Sequence, residues 1–182
     1  MKNILMIVGS LRKDSFNRQL AAQIADMLEE RATIRFLEFA DLPFMNQDIE
    51  FPPPGAVARV RQAVQEADGV WIVSPEYNYQ IPGVLKNLLD WLSRPLLPDD
   101  PQRVSAAKGK VVTISSVAGK SAGAGVRKNL SALLEVMSMQ VIGGTGTGFA
   151  LDGEAFRTGR LTLSDKNRGE LAAQAERFFS AL

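Results

Sequence analysis

The sequence of 182 residues contains neither cysteine nor histidine. Without cysteine the chain has no disulfide bond, no thiolate nucleophile and no cysteine-ligated metal. Without histidine it has no Ser-His-Asp triad and no imidazole general base. If the chain is an enzyme, a bound cofactor is the obvious alternative, because the side chains that most often transfer protons and acyl groups are missing.

The chain also has little net charge. It carries 21 basic and 20 acidic residues, and the two signs are mixed along its length. A nucleic-acid groove or a polybasic membrane anchor needs a concentrated basic face, and the apolar runs have the length of strands rather than of a membrane span. We therefore expect no nucleic-acid partner, no membrane insertion, only a small anionic ligand, and a cytoplasmic location.

Apolar strand-like runs alternate with segments of helical periodicity, which predicts one domain over residues 1–182. Because several strands are apolar throughout, we expect a parallel sheet covered on both faces, in a three-layer, doubly wound α/β fold. Five strands favour the flavodoxin-like order 2-1-3-4-5, in which ligands bind beyond the carboxyl ends of the strands. The strands are predicted at 3–8, 33–39, 69–74, 111–116 and 140–147, and the helices at 16–31, 57–67, 85–92, 126–137 and 171–182.

The loop after the first strand, GSLRKDSFNR at 9–18, leads directly into a helix. Free N–H groups at a helix N-terminus, hydroxyls and a guanidinium together suit a phosphate monoester. The loop matches neither the nucleoside triphosphate motif nor the dinucleotide turn, so those ligands are not expected in it. The alternative is that Ser15 or Asp14 only caps the helix and that Arg12 is a solvated surface charge.

The loop after the third strand, SPEYNYQIPG at 74–83, contains two prolines and two tyrosines. The prolines stiffen it, and its aromatic and amide groups could hold a planar heterocycle. The alternative is a turn bounded by prolines whose tyrosines pack on a neighbouring helix.

The loop after the fourth strand, SSVAGKSAGAG at 115–125, consists mainly of small residues. Such residues let the backbone approach a ligand closely. The alternative is a flexible connection in which Ser121 caps the next helix.

Two segments, GSLRKDSFNRQL at 9–20 and ADGVWIVSPEYNYQIPGVLKNLLDWLSR at 67–94, resemble the NAD(P)H-dependent FMN reductase family. This branch of the flavodoxin-like flavoproteins includes chromate, quinone and azo reductases. The resemblance implies a bound FMN, no metal and no catalytic side chain. It assigns the phosphate to Ser10, Arg12, Ser15, the Phe16 backbone and Asn17, the isoalloxazine to Pro75, Glu76, Tyr77 and Asn78, and the pyrimidine end to Ser115, Ser116 and Gly119.

The resemblance also implies the reaction. NADPH or NADH stacks on the flavin, passes a hydride to N5 and leaves before a quinone, azo compound, free flavin, chromate or similar acceptor takes its place. Family members are usually homodimers or homotetramers, with the helix after the PEYN segment at an interface. Trp91 on that helix would suit either a partner contact or a contact with the loop at 95–101. Asp14, beside the phosphate, is expected to point outward.

Two other functions remain open. A flavodoxin-type electron carrier would bind FMN but have no nicotinamide activity, and the absence of a strongly acidic surface disfavours it. A domain that had lost its cofactor would be a binding or regulatory module, and the complete phosphate loop disfavours that interpretation.

Overall fold

A parallel β-sheet lies at the centre of the structure, a computed structural model that describes residues 1–182. Its strands follow the expected order β2-β1-β3-β4-β5, with β6 also paired to β4. The strands are β1 Lys2–Val8, β2 Ala32–Phe36, β3 Gly69–Val73, β4 Val111–Ala118, β5 Gln140–Val141 and β6 Thr147–Ala150. The helices are α1 Phe16–Leu28, α2 Gly55–Glu66, α3 Gly83–Leu92, α4 Ala124–Val136, α5 Gly153–Thr158 and α6 Asp165–Phe179, with a 3₁₀ turn at Gln47–Ile49.

Helices cover both faces of the sheet, as the apolar strands predict. In β1, Leu5 and Ile7 pack against α2, α3 and α4 on one face. Ile4, Met6 and Val8 alternate with them and pack against α1 and α6 on the other face. This flavodoxin-like architecture brings the loops after β1, β3 and β4 to one edge of the sheet. None of the helices combines the length and the apolar character needed to cross a membrane.

The fifth strand predicted over 140–147 is divided into β5 and β6. The glycines at 143, 144 and 146 all have positive φ, and the pairing with β4 is interrupted there, between Val141 and Thr147. A Cβ on Gly146 would lie 1.8 Å from the Ile114 carbonyl oxygen. The Gln174 side chain of α6 donates to that same oxygen at 2.7 Å, so it replaces a ladder hydrogen bond that the interrupted strand does not make.

The helix after the PEYN segment is α3, and its Trp91 is fully buried. The indole Nε1 donates to the Pro43 carbonyl oxygen at 2.9 Å, which attaches α3 to the long β2–α2 loop. The interpretation of Trp91 as a partner contact is therefore wrong. Its tertiary contact is made with the loop before α2. The same loop is held by Glu50, which forms a two-pronged ion pair with Arg94 at 2.9 Å.

Candidate active site

The loop after β1 is closed by its own hydrogen bonds. Ser15 caps α1, because its Oγ accepts from the Arg18 N–H at 3.0 Å. Ser10 is buried, and its Oγ accepts from the Arg12 N–H at 3.3 Å. The N–H groups of Phe16 and Asn17 have no acceptor within the helix, since they belong to its first turn. Ser15 is thus a cap, and the loop still presents free donors at a positive helix end.

Asn17 joins this loop to the end of β4. Its side chain is 3% exposed. Its Nδ2 donates to the Val117 carbonyl oxygen and its Oδ1 accepts from the Val117 N–H, both at 2.8 Å. Because the amide is occupied in this way, Asn17 can offer an anion only its backbone N–H and sets the distance between two loops of the site.

A tight turn forms the loop after β3. Tyr77 and Gln80 pair as an antiparallel bridge, and the two residues between them, Asn78 and Tyr79, have φ values of 52° and 62°. Positive φ at both central positions is the geometry of a type I′ turn, which asparagine tolerates well and tyrosine poorly. Asn129 of α4 holds the turn by donating to the Gln80 Oε1 at 2.9 Å. Both tyrosines are exposed rather than packed on a helix, so the packing alternative is wrong.

Glu76 connects this turn to α4. Its Oε1 accepts from the Ser121 hydroxyl at 2.6 Å and its Oε2 from the Val126 N–H at 2.8 Å, so it caps α4 from another loop. Partial burial acts to raise the pKa of Glu76. The hydrogen bonds from Ser121 and from the helix N–H groups, together with the charge of Arg127, outweigh burial and leave the pKa below its ordinary value.

Two glycines of the loop after β4 lie where a side chain would not fit. A Cβ on Gly125 would lie 2.8 Å from both the Glu76 Oε2 and the Tyr79 carbonyl oxygen. Gly123 has φ of 69°, and a Cβ there would lie 1.9 Å from the Ser116 Oγ. Gly125 therefore lets the loop after β4 approach the loop after β3, and Gly123 lets the same segment fold back onto Ser116 of β4.

Ser115 and Ser116 are fully buried and do not line the cleft between the three loops. The Ser115 Oγ accepts from the Trp71 Nε1 at 3.0 Å and donates to Gln174. The Ser116 Oγ donates to the Ser74 carbonyl oxygen at 2.6 Å. Their side chains stabilise the sheet and the loop junctions, so a role for them in binding the pyrimidine end stays a prediction without a contact to support it.

The three loops enclose a cleft of about 230 Å³ at this edge of the sheet. It brings together nine of the twelve predicted residues. Asn78, Ser115 and Ser116 do not line it. Four further residues line the cleft and were not predicted: Val117, Ala118, Leu151 and Phe156. Val117 and Ala118 belong to β4, which continues two residues beyond its predicted end at residue 116. The last two come from the segment around α5, where Asp152 and Gly159 are recognisable as helix-capping residues.

The residues of the cleft fit FMN. The two free N–H groups of α1, two serine hydroxyls and the exposed Arg12 would meet a phosphate. In the same first turn the Nε of Arg18 is buried and has no acceptor within the chain. Asp14, the acidic residue of this loop, is exposed, as expected, and Arg12 bonds to its carbonyl oxygen at 2.6 Å. The Pro75–Tyr77 backbone, held by Glu76, supplies a rigid surface for a planar ring.

Fold and cleft together define a flavodoxin-like protein with a cleft at the carboxyl ends of its strands. Residues 2–151 match the family model described as NADPH-dependent FMN reductase. A quinone reductase of Pseudomonas putida is 35% identical over 98% of this chain and 93% of its own length. A 2-hydroxy-1,4-benzoquinone reductase of Burkholderia is 46% identical over half of each chain.

A solved structure of a flavoenzyme NAD(P)H:(acceptor) oxidoreductase of Paracoccus denitrificans superposes with a TM-score of 0.83, at 26% identity over 99% of this chain and 98% of that one. The chain therefore belongs to the NADPH-dependent FMN reductase family. It is an FMN-dependent NAD(P)H oxidoreductase, and the electron-carrier alternative is not favoured.

Proposed function

We propose that the cleft binds FMN with its phosphate at the N-terminus of α1 and its ring system against Pro75–Tyr77, and that a quinone reoxidises the reduced flavin. The observation that carries this proposal is the continuity of one cleft from a helix N-terminus lined by Ser10, Arg12 and Ser15 to a constrained turn with an exposed Tyr77.

The bound flavin supplies the hydride chemistry, and the chain contributes binding and orientation. Glu76 is the one acidic side chain that lines the cleft, and both of its oxygens are hydrogen-bonded toward α4. The chain has no histidine or cysteine elsewhere to act in its place. Hydride transfer between two stacked planar rings therefore requires the lining residues to hold the rings in register, and it does not require a side-chain acid or base.

A quinone is the proposed acceptor because relatives that match this chain are named quinone reductases. A planar ring also suits a site bordered by Tyr77, which is 51% exposed. Chromate is a tetrahedral oxyanion and would not stack there, whereas azo compounds and free flavins are planar. Parallel rate measurements with benzoquinone, an azo dye, FMN and chromate rank these acceptors, and a higher kcat/KM for chromate would refute the quinone assignment.

We also propose that the protein is a homodimer or homotetramer and that it acts in the cytoplasm. Three exposed apolar side chains, Leu11, Phe44 and Val84, line a groove beside the loop after β1. Apolar residues grouped in this way are typical of interfaces. Light scattering on the purified protein tests the assembly, and a monomer at micromolar concentration would refute it. Cell fractionation tests the location.

A visible spectrum tests the central proposal. The purified protein should show flavin bands that bleach within seconds of anaerobic NADPH addition and return when benzoquinone is added. Bands that persist with both NADPH and NADH would support an electron carrier instead. Absence of bands after incubation with FMN would refute flavin binding altogether.

Arg12→Ala tests the position of the phosphate. Because a charged hydrogen bond contributes about 1.5–3 kcal/mol, the variant should bind FMN roughly 10- to 150-fold more weakly. Arg168→Ala is the matched control, since this exposed arginine of α6 lies 3.8 Å from Asp165 and does not line the cleft. Equal FMN affinity in the two variants, measured by flavin fluorescence quenching, would show that the phosphate lies elsewhere.

A further inference from the structure

Phe156 of α5 is an aromatic residue held at the mouth of the cleft. This residue is 64% exposed although it lines the same cavity as Ser10, Arg12 and Tyr77. Its aromatic neighbour is Phe16, whose ring centroid lies 6.2 Å away at an interplanar angle of 82°. An edge-to-face contact of this kind orients a ring but buries little of it, so core packing does not account for Phe156.

The segment that carries Phe156 is anchored at both ends. Before α5, the Leu151 N–H donates to the Ala118 carbonyl oxygen at 2.8 Å, which extends the β4–β6 pairing. After α5, the Gln19 side chain of α1 donates to the Gly159 carbonyl oxygen and accepts from the Leu161 N–H, both at 2.8 Å. The exposed ring is therefore kept at a defined place beside α1.

That place is the phosphate end of the cleft. Phe16 is the first residue of α1, and the Arg12 guanidinium carbon lies 5.6 Å from the centre of its ring. Two more exposed arginines follow Phe156: Arg157, which pairs with Glu154 at 2.6 Å, and Arg160. The exposed ring thus lies beside α1, whereas the proposed function assigns the flavin ring to the Pro75–Tyr77 segment of the same cleft.

We infer that Phe156 is the stacking surface for the adenine ring of the nicotinamide donor. An adenine dinucleotide has a second planar ring joined to the nicotinamide through a diphosphate, which matches an exposed aromatic residue held at the mouth of the flavin cleft. The inference rests on the proposed function, because it requires the flavin ring to occupy the other end of the cleft.

Binding of ADP-ribose, the half of NADH that lacks nicotinamide, tests the inference directly. Calorimetric titration of the FMN-loaded protein should show ADP-ribose bound about 5- to 150-fold more weakly by Phe156→Ala, the range found when an aromatic residue that stacks on a base is truncated. Phe156→Trp should retain the affinity. Leu97→Ala is the control, since Leu97 is 67% exposed and does not line the cleft.

Steady-state kinetics separate the adenine from the rest of the donor. Phe156→Ala should raise the KM for NADH and leave the KM for reduced nicotinamide mononucleotide unchanged. Equal ADP-ribose affinity in wild type and Phe156→Ala would overturn the inference and leave the proposed function standing. A Phe156→Ala variant that binds FMN more weakly, but ADP-ribose as tightly as wild type does, would have the same consequence. A wild-type protein that binds no FMN would overturn the proposed function and the inference with it.

Discussion

Replacement of Glu76 should destabilise the site, because this side chain connects the loop after β3 to α4. In Glu76→Ala, α4 loses the cap provided by the carboxylate, which accepts from Ser121 at 2.6 Å and from the Val126 N–H at 2.8 Å. Loss of a helix cap costs about 0.5–2 kcal/mol, and a hydrogen bond to a charged group contributes about 1.5–3 kcal/mol. Because Glu76 is only partly buried, we expect a loss of about 2 kcal/mol. That corresponds to a Tm lower by roughly 4–8 °C for a chain of this size.

The same contact makes stability depend on pH in a defined direction. The pKa of Glu76 is lower in the folded protein than its ordinary value of 4.5, because hydrogen bonds from Ser121 and α4 outweigh the effect of burial. Its contribution is therefore complete above that ordinary value and is lost as the pH falls through the lower, folded-state pKa. The difference in Tm between wild type and Glu76→Gln should be constant near pH 7 and shrink below about pH 4.5.

Thermal unfolding followed by circular dichroism, with and without FMN, measures both effects. Glu170→Gln serves as the control, since its ion pair with Lys166 is exposed and 3.9 Å long and should contribute about 0–1 kcal/mol. Loss of the cap should also weaken FMN binding, because the Pro75–Tyr77 backbone is held through Glu76. A Glu76→Ala protein with wild-type Tm, or a Tm difference from Glu76→Gln that grows on acidification, would refute this account of the loop.

Two other sets of variants test the packing that supports the site. Gly123→Ala should lower stability by about 2 kcal/mol or more, because φ is 69° and the new Cβ would lie 1.9 Å from the Ser116 Oγ. Gly169→Ala in α6, where a new Cβ would have no atom within 4 Å, should raise the free energy of unfolding by about 0.5–1 kcal/mol. Urea titration measures both glycine variants, and a change of the same sign in the two would contradict the geometry. Arg94→Met should cost about 3 kcal/mol, since it leaves the Glu50 carboxylate, 5% exposed, without its two-pronged partner. Arg35→Met breaks a half-exposed pair with Glu66 and should cost at most about 1 kcal/mol, so similar losses in these two variants would refute the distinction.

The architecture could be predicted because its signals are local. The apolar run at Ile4–Val8 and the helical spacing after Phe16 each lie within a few residues of one another, and they are recovered as β1 and α1. Local patterns failed where a distant residue decides the outcome. The fifth strand is divided at three glycines with positive φ, and Gln174 bonds to Ile114 in its place, across an interval of 60 residues. The indole of Trp91 reaches Pro43, 48 residues earlier.

The site shows the same division between residue type and role. The polar residues after β1 and β3 could be chosen from the sequence, because parallel strands end at one edge of the sheet. The hydrogen-bond partners of these residues could not be predicted from the sequence. Asn17 is bonded to the backbone of Val117 and Ser115 is bonded to Trp71 and Gln174, so neither side chain is free for a ligand. Phe156 went unpredicted because nothing near it in the sequence shows that its segment lies beside α1.

The sequence by itself determined a doubly wound fold through its periodicity, and its short motifs selected the polar loop after the first strand as a candidate phosphate site. Its resemblance to a known family implied a flavin-dependent enzyme, with which the absence of histidine and cysteine agrees. Only the tertiary structure decided which polar side chains face the cleft, that the Glu76 carboxylate caps α4, and that Phe156 lines the cleft. The reason is physical: a side chain's role depends on the hydrogen-bond partners and neighbours that packing brings to it, and these lie far away along the chain.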